Sequence, residues 1–547
     1  MTSRPLAGSA KHSYDQWNMF RPLAISLCLL ASVSAAEKTF VNPIAEGADP
    51  WVVKNGKQYV WCASEGNRGI SLWISDRLTS LGQKHVIWTG PESGPFAKEV
   101  WAPEIHLLDG RWHVYFAASD GNNANHLAYV LRSRDADPLS PYELLGPFAT
   151  GDGADGKSPN IWAIDMTVLE VGVKRYAIWS GWDAPGTDKQ FLYIAPMKSP
   201  TELSGPRVLL AKNDDHLWER TEEKQESRGL AEGPQVLQNG GKTFVTYSTA
   251  ASWLPTYKLG MLELTGKDPL DPKSWTKRPE PVFKSTDQTF GTGHSCFVKS
   301  LDDKEWWHVY HAKRDKGAGW RRAIFVQPFT FGADGLPDFG KPVAPGSALP
   351  FPSGESLPAP KLPLSAVFTK GYPKGFSYYG HLQFLNFEKD GLHLGTVPAH
   401  PVNDYRSGEK LVLDGGDFTD VEATTTLRFV KGDRDAGLLF RVTQPSVGFD
   451  AQSGYFAGLI PRDKAVVLGK MDGKGWKEIG RATVDLPAGG EHQLGVIARG
   501  PEIQVTLGGK EVLTARDDSH ARGTVGLRVV DTHACFGKLK VGEPGGR

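Results

Sequence analysis

The chain has 547 residues, too many for one ordinary hydrophobic core, so two or more domains are expected. Its 62 Lys and Arg balance 62 Asp and Glu, and with no basic stripe and no block of like charge nothing favours nucleic acid or a membrane surface as a partner. The 17 Trp, 62 Gly and 38 Pro suit many short strands joined by tight turns, with aromatic faces available to sugar rings, and the composition reads as soluble and all-β.

The first element is FRPLAISLCLLASVSAA, residues 20–36: an arginine, a short apolar run and small residues at a cleavage point near Ala35 or Ala36. This is the pattern of an export signal and is too short for a comfortable membrane span. Residues 1–36 are assigned to this signal region, with Met19 as the expected start. No other run approaches span length, so the mature chain is expected to be secreted or periplasmic. Of four cysteines, Cys28 falls in the signal; Cys62, Cys296 and Cys535 remain. An odd count supports no disulfide framework and leaves at least one thiol free or paired between chains.

Five stretches of one design follow. ADPWVVKNGKQYVWCAS, APEIHLLDGRWHVYFAAS, AIDMTVLEVGVKRYAIWSG, AEGPQVLQNGGKTFVTYSTA and GHSCFVKSLDDKEWWHVYHAK are spaced roughly 54 to 68 residues apart. Each has a polar or charged residue, an apolar run, a turn of Gly, Asn or Asp, and an alternating aromatic strand. A further strand follows most of them, as in GISLWIS, HLAYVLRS, QFLYIAPM, KLGMLEL and RAIFVQPFTF. Five repeats of several antiparallel strands predict a five-bladed β-propeller, because a blade cannot bury both faces without its neighbours. The loose period leaves a large sandwich as the alternative.

In a propeller the first strand of each blade lines the central axis, so Asp49, Glu104, Asp165, Glu232 and His294 are expected to converge at one mouth of the channel. Like charges gathered in one funnel raise one another's pKa, which is costly for stability alone and marks a functional site.

ADP at Asp49, WAPE at Trp101 to Glu104, the ID pair at Ile164 and Asp165, EGP at Glu232, GTGH ending at His294 and YHA at Tyr310 to Ala312 occur in order, one set per blade. With them the region of about residues 40–345 resembles glycoside hydrolase family 43. The resemblance implies a five-bladed propeller that hydrolyses glycosidic bonds with inversion. It implies Asp49 as the base that activates water, Glu232 as the acid that protonates the leaving oxygen, and Asp165 as the modulator that keeps the acid protonated and oriented. Inversion needs the base and acid carboxyls about 6.5–9.5 Å apart, leaving room for water.

Trp101 is a candidate stacking wall, and Trp182 a weaker one. Glu104 is open between a sugar contact and a structural partner, and Arg322 between a hydroxyl contact and holding a carboxylate. His294 is open between a sugar hydrogen bond, a water-mediated contact with a cation, and a core role. No cofactor is implied for the chemistry, no metal ligand is assigned, and a structural calcium or sodium ion in the channel near His294 is admitted. WSGWDA, TYSTAASW and YKLGMLEL resemble the branch rich in exo-acting α-L-arabinofuranosidases, with plant-type polysaccharides or oligosaccharides as substrates. A β-xylosidase and a non-catalytic sugar-binding propeller are the alternatives, and a retaining enzyme of the fructan-cleaving type is a third. GTGHSCF departs from the family pattern and puts fine specificity in doubt.

The domain organisation is thus a propeller over 37–345, a Pro-rich linker over 346–363 and a β-sandwich over 364–547. Alternating strands such as VEATTTLRFV, AGLLFRVT, HQLGVIARG and GTVGLRVV predict the sandwich. In pattern it resembles the concanavalin-like jelly rolls appended to carbohydrate enzymes, either binding glycan or packing on the propeller.

Overall fold

A computed structural model describes residues 39–153, 160–313, 315–317, 319–357, 359–398, 408–487 and 489–545; the expected export signal, with Cys28, lies outside the described residues. Five antiparallel sheets form the blades of a propeller. Blade I runs through Trp51–Asn55, Gln58–Glu65, Gly69–Ser75 and Gln83–Thr89, and blade II through Lys98–Leu108, Arg111–Ser119, Leu127–Ser133 and Tyr142–Leu145. The first three strands of blade III are Ala163–Val171, Lys174–Trp182 and Gln190–Ser199; those of blade IV are Ala231–Asn239, Lys242–Thr249 and Lys258–Leu264. Blade V comprises Phe290–Lys299, Trp306–Lys313 and Arg322–Phe331, and its outer strand comes from the other end of the chain: Ala45–Glu46 pairs with Arg322–Phe331, Ala45 opposite Ile324. The ring is therefore closed by hydrogen bonds between the two ends of the propeller sequence.

Local chemistry explains the strand boundaries. Leu108 and Arg111 are joined by Asp109 and Gly110, both at positive φ, the two-residue hairpin turn whose twist matches that of the flanking strands. The first strands touch one another in cyclic order, blade I to blade V and back to blade I, so they line the axis. Each carries a left-handed residue near its head: Asp49, Ala102, Asp165, Gly233 and His294. The pairing register of the first strands of blades II to V shifts at these places. Bulges bend a strand and re-aim its side chains, and non-glycine residues held at positive φ cost of order 1–3 kcal/mol each. That recurrence around one axis is local strain concentrated at one end of the channel.

Downstream, two antiparallel sheets follow. One orders Phe376–Tyr379, Glu409–Leu413, Thr524–Val529, Ala436–Thr443, Ser453–Ile460, Ala465–Asp472 and Trp476–Thr483; the other is built around His533–Gly542, Val421–Lys431 and His492–Arg499. Alternate residues from both, such as Leu438, Ala457 and Leu527 from the first and Ala423, Val496 and Leu539 from the second, share one core.

That core continues into blades I and V through Trp61, Trp73, Trp307 and Val326. Trp73 stacks on Tyr378, with centroids 6.4 Å apart, and the Ser446 hydroxyl donates to the Pro43 carbonyl at 2.8 Å. The Pro-rich stretch is held along the propeller, with Ala348–Pro350 paired to Thr39–Val41 and the Ser353 amide donating to Glu305 at 2.8 Å.

Arg77 spans the seam, ion-paired to Asp414 and donating to the Ser377 hydroxyl at 3.0 Å. The Arg77 and Asp414 side chains are only 9% and 10% exposed, so removing one charge strands the other. Arg77→Ala is expected to lower stability by about 3–5 kcal/mol in denaturant melts. Loss of the exposed Arg132–Glu143 pair should change it by no more than about 1 kcal/mol. Equal effects would mean that the seam contributes nothing special.

Candidate active site

The sequence placed Asp49, Asp165, Glu232, Glu104 and His294 at one mouth, and the electrostatics converge on His294. Burial would push its imidazole down, but the carboxylates of Asp49, Asp165, Glu104 and Glu232, in that order, outweigh burial and raise its pKa. Its Nδ1 lies 3.4 Å from Asp49 Oδ1, and its backbone N–H donates to the Ser248 hydroxyl at 2.7 Å.

Asp49 is the anchored carboxylate. Its Oδ1 meets Arg322 Nη1 at 3.0 Å and His311 Nδ1 at 3.2 Å. Burial works to raise its pKa, yet the Arg322 guanidinium first, then His294 and His311, hold it well below the usual carboxylate range. Its side chain remains 24% exposed, so one edge of the carboxylate is open to solvent. His311 is fully buried, and burial pushes it down to about 3, which keeps it neutral.

Glu232, 8% exposed, is held by neutral donors: the Tyr257 hydroxyl donates to Oε1 at 2.8 Å and Gln190 Nε2 to Oε2 at 2.9 Å. The Tyr257 ring stacks on His311 at 5.6 Å, so a stacked pair links the anchor of Glu232 to that of Asp49. Two glycines make room for this. A Cβ on Gly293 would lie 2.4 Å from the Tyr257 ring, and one on Gly233, which is at φ +53°, would lie 3.0 Å from the His294 ring.

Asp165 Oδ2 accepts the Gly233 N–H at 2.9 Å, tying blade III to the peptide just after Glu232. Burial raises its pKa to about 7, with His294 opposing and the charges of Glu232 and Asp49 adding. Glu104 is 1% exposed, with Gln235 donating to one oxygen and His106 Nε2 3.2 Å from the other. Burial raises it to about 8, against the hydrogen bond from Gln235 and the charge of His294. Both Glu104 oxygens are engaged by protein side chains.

Trp101 stacks on His126 with centroids 3.8 Å apart and donates its indole N–H to Glu99 at 3.0 Å. It packs in an apolar patch with Ile164, Trp162 and Trp182, beside Asp165 in the chain. Trp73 sits at the seam away from this patch, fully buried. The three described cysteines, Cys62, Cys296 and Cys535, are all free and buried.

Sequence reasoning passed over Gln190, Tyr257, Ser248 and His311. A signal for two of them was present: Arg322 opens the third strand of blade V, and Gln190 opens the same strand in blade III. Tyr257 immediately precedes it in blade IV, as His126 does in blade II. The head of the third strand thus supplies side chains that grip Asp49 and Glu232.

A calcium ion takes six to eight oxygen ligands. Among the described residues no three His, Cys, Asp or Glu ligand atoms converge beside His294, the one such grouping lying in the C-terminal sheets. The surrounding carboxylates favour the charged form of the imidazole there.

Comparison with known proteins agrees with this geometry. The model of glycosyl hydrolases family 43 matches residues 40–337. An extracellular exo-α-(1→5)-L-arabinofuranosidase of Streptomyces avermitilis is 35% identical over 324 residues, 56% of this chain and 64% of that protein's length. α-L-Arabinofuranosidase 43 of Humicola insolens is 31% identical over 420 residues, 74% of this chain and 80% of its own. The crystal structure of an α-L-arabinofuranosidase from Lactobacillus brevis superposes with a TM-score of 0.51 at 31% identity, covering 56% of this chain and 97% of that one. With more than half its length matched by the family model, and with the propeller that the match requires, the chain belongs to glycosyl hydrolase family 43.

Proposed function

We propose that this glycoside hydrolase is a secreted, inverting exo-α-L-arabinofuranosidase that releases terminal α-L-arabinofuranosyl residues from arabinan or arabinoxylan-type oligosaccharides. One observation carries the division of labour: Asp49 Oδ1 lies 3.0 Å from the Arg322 guanidinium and 3.4 Å from the His294 imidazole, whereas the hydrogen-bond partners of Glu232 are the neutral Tyr257 and Gln190. A permanent anion suits the base, and a carboxyl without a cationic anchor suits a group that must give up and regain a proton.

In this reading a water on Asp49 loses a proton to its carboxylate and attacks the anomeric carbon. The glycosidic bond breaks with inversion, and the Glu232 proton passes to the leaving oxygen. Asp165 fixes the Gly233 peptide and so the direction of Glu232. Trp101 forms an apolar wall against which a sugar C–H face can pack. The names of the Streptomyces avermitilis and Humicola insolens relatives support the furanoside, and the word extracellular in the former supports secretion. The C-terminal sheet pair is read as a concanavalin-like accessory sandwich that braces blades I and V.

The test is turnover of aryl α-L-arabinofuranoside against aryl β-D-xyloside by the purified chain, with NMR of the first sugar released. Preference for the arabinofuranoside and initial appearance of the β-anomer are expected. Faster xyloside turnover would overturn the sugar assignment, and an α-anomer appearing first would overturn inversion.

A further inference from the structure

The C-terminal sheets contain a group of side chains that glycoside hydrolysis does not use. We propose that Asp390, His393 and Cys535 form a binding site for a borderline divalent cation of the Zn2+ class. The backbone brings them together. Leu385–Glu388 and Gly391–Leu394 form a hairpin at one end of a sheet, and His393 lies directly opposite Cys535 on His533–Gly542. Opposed residues share a face, with Cβ atoms about 4.5–5.5 Å apart. Asp390 occupies the hairpin turn, and its Oδ1 reaches His393 Nε2 at 3.0 Å. One ligand atom from each of the three residues lies within 4.8 Å of the other two.

The surroundings are those of a ligand set held from behind. His393 Nδ1 is 2.9 Å from His533 Nε2, a contact that orients the ring from behind with Nε2 turned toward Asp390. Arg428 pairs with Oδ2 of Asp390, leaving Oδ1 turned to the imidazole. Glu388 Oε2 lies 3.8 Å from His393 Nε2 and offers a fourth ligand. His393 and Cys535 are buried, while the Asp390 and Glu388 side chains are 48% and 59% exposed and line an open hollow, so an ion can enter from solvent.

The donor chemistry selects the ion. Calcium and magnesium take oxygen ligands, whereas one thiolate, one imidazole and one or two carboxylates suit zinc. A Cys–His nucleophile does not fit: Nε2 is engaged with Asp390, Nδ1 with His533, and the thiol donates to the Asp390 carbonyl at 3.6 Å. Binding would displace the proton on sulfur to solvent and leave the neutral imidazole's one proton on Nδ1, facing His533. The bound ion would clip the outer hairpin to His533–Gly542.

The experiment is a Co2+ titration of the reduced full-length chain, followed by displacement with Zn2+. One equivalent should produce the visible bands of tetrahedral cobalt and a near-ultraviolet sulfur-to-cobalt charge-transfer band, both lost on adding Zn2+. Cys535→Ser, nearly isosteric, should fold and lose the charge-transfer band, and His533→Ala should weaken binding about 10–100-fold. Absence of the band from the parent chain, or its persistence in Cys535→Ser, overturns the proposal. Aryl-glycoside turnover should be unchanged in Cys535→Ser, so the outcome is independent of the catalytic assignment.

Discussion

Asp49→Asn is expected to depress turnover by about 10²–10⁴-fold on activated aryl glycosides and natural oligosaccharides alike, because every substrate needs the same attacking water. The amide keeps the shape but cannot take a proton, and it leaves the Arg322 guanidinium without the anion that faces it. KM should move far less than kcat, since the lost interaction belongs to the transition state. The sign of the pH effect follows from the same geometry. Asp49 is held ionised well below the usual range, so the low-pH limb of wild-type activity should not report it. Replacing Arg322 by Met removes the leading lowering influence and leaves burial to raise Asp49, so the base protonates at a higher pH and the acid limb moves up. An Asp49→Asn enzyme with near-normal rates would remove Asp49 from the chemistry.

How much of this was legible in the sequence depends on the distance over which each feature is encoded. Hairpins are local: an apolar run, a turn such as Asp109–Gly110 and an alternating strand sit within about twenty residues, and five copies in order disclosed the propeller. The heads of the first strands were legible for the same reason, since Asp49, Asp165, Glu232 and His294 occupy equivalent places in their repeats. The left-handed backbone at those places was not, because strain at an aspartate or histidine leaves no compositional mark; only Gly233 hinted at it.

The grips on the carboxylates were harder still. Tyr257 reaches Glu232 from 25 residues away, and Gln190 reaches it from 42. Neither belongs to a motif with obvious chemistry, and a tyrosine before an apolar strand usually means core. His311 sits within YHA with nothing local to mark its role, since its partner Asp49 is 262 residues upstream. What the sequence concealed was pairing between residues on separate strands. The closure of blade V by Ala45–Glu46 escaped notice for the same reason: a two-residue strand carries no periodicity.

Glu232→Gln should separate substrates that Asp49→Asn treats alike. The glutamine can still accept from Tyr257, but it has no proton to give, so a leaving group that departs as a poorly stabilised alkoxide loses the full contribution of general acid catalysis, about 10²–10⁴-fold. A nitrophenyl arabinofuranoside, whose phenolate leaves without help, should retain far more of its rate. The measurement is a plot of log kcat/KM against leaving-group pKa for a series of aryl glycosides: shallow in the parent, steep in Glu232→Gln, and parallel to the parent but displaced downward in Asp49→Asn. Tyr257→Phe provides a check on positioning. It removes the 2.8 Å hydrogen bond while leaving the carboxyl in place, and so should lower kcat on poor leaving groups without steepening the plot as much as loss of the acid itself. A steep plot for Asp49→Asn and a flat one for Glu232→Gln would reverse the two roles. Flat plots at undiminished rates for both would make the funnel a binding site whose chemistry lies elsewhere.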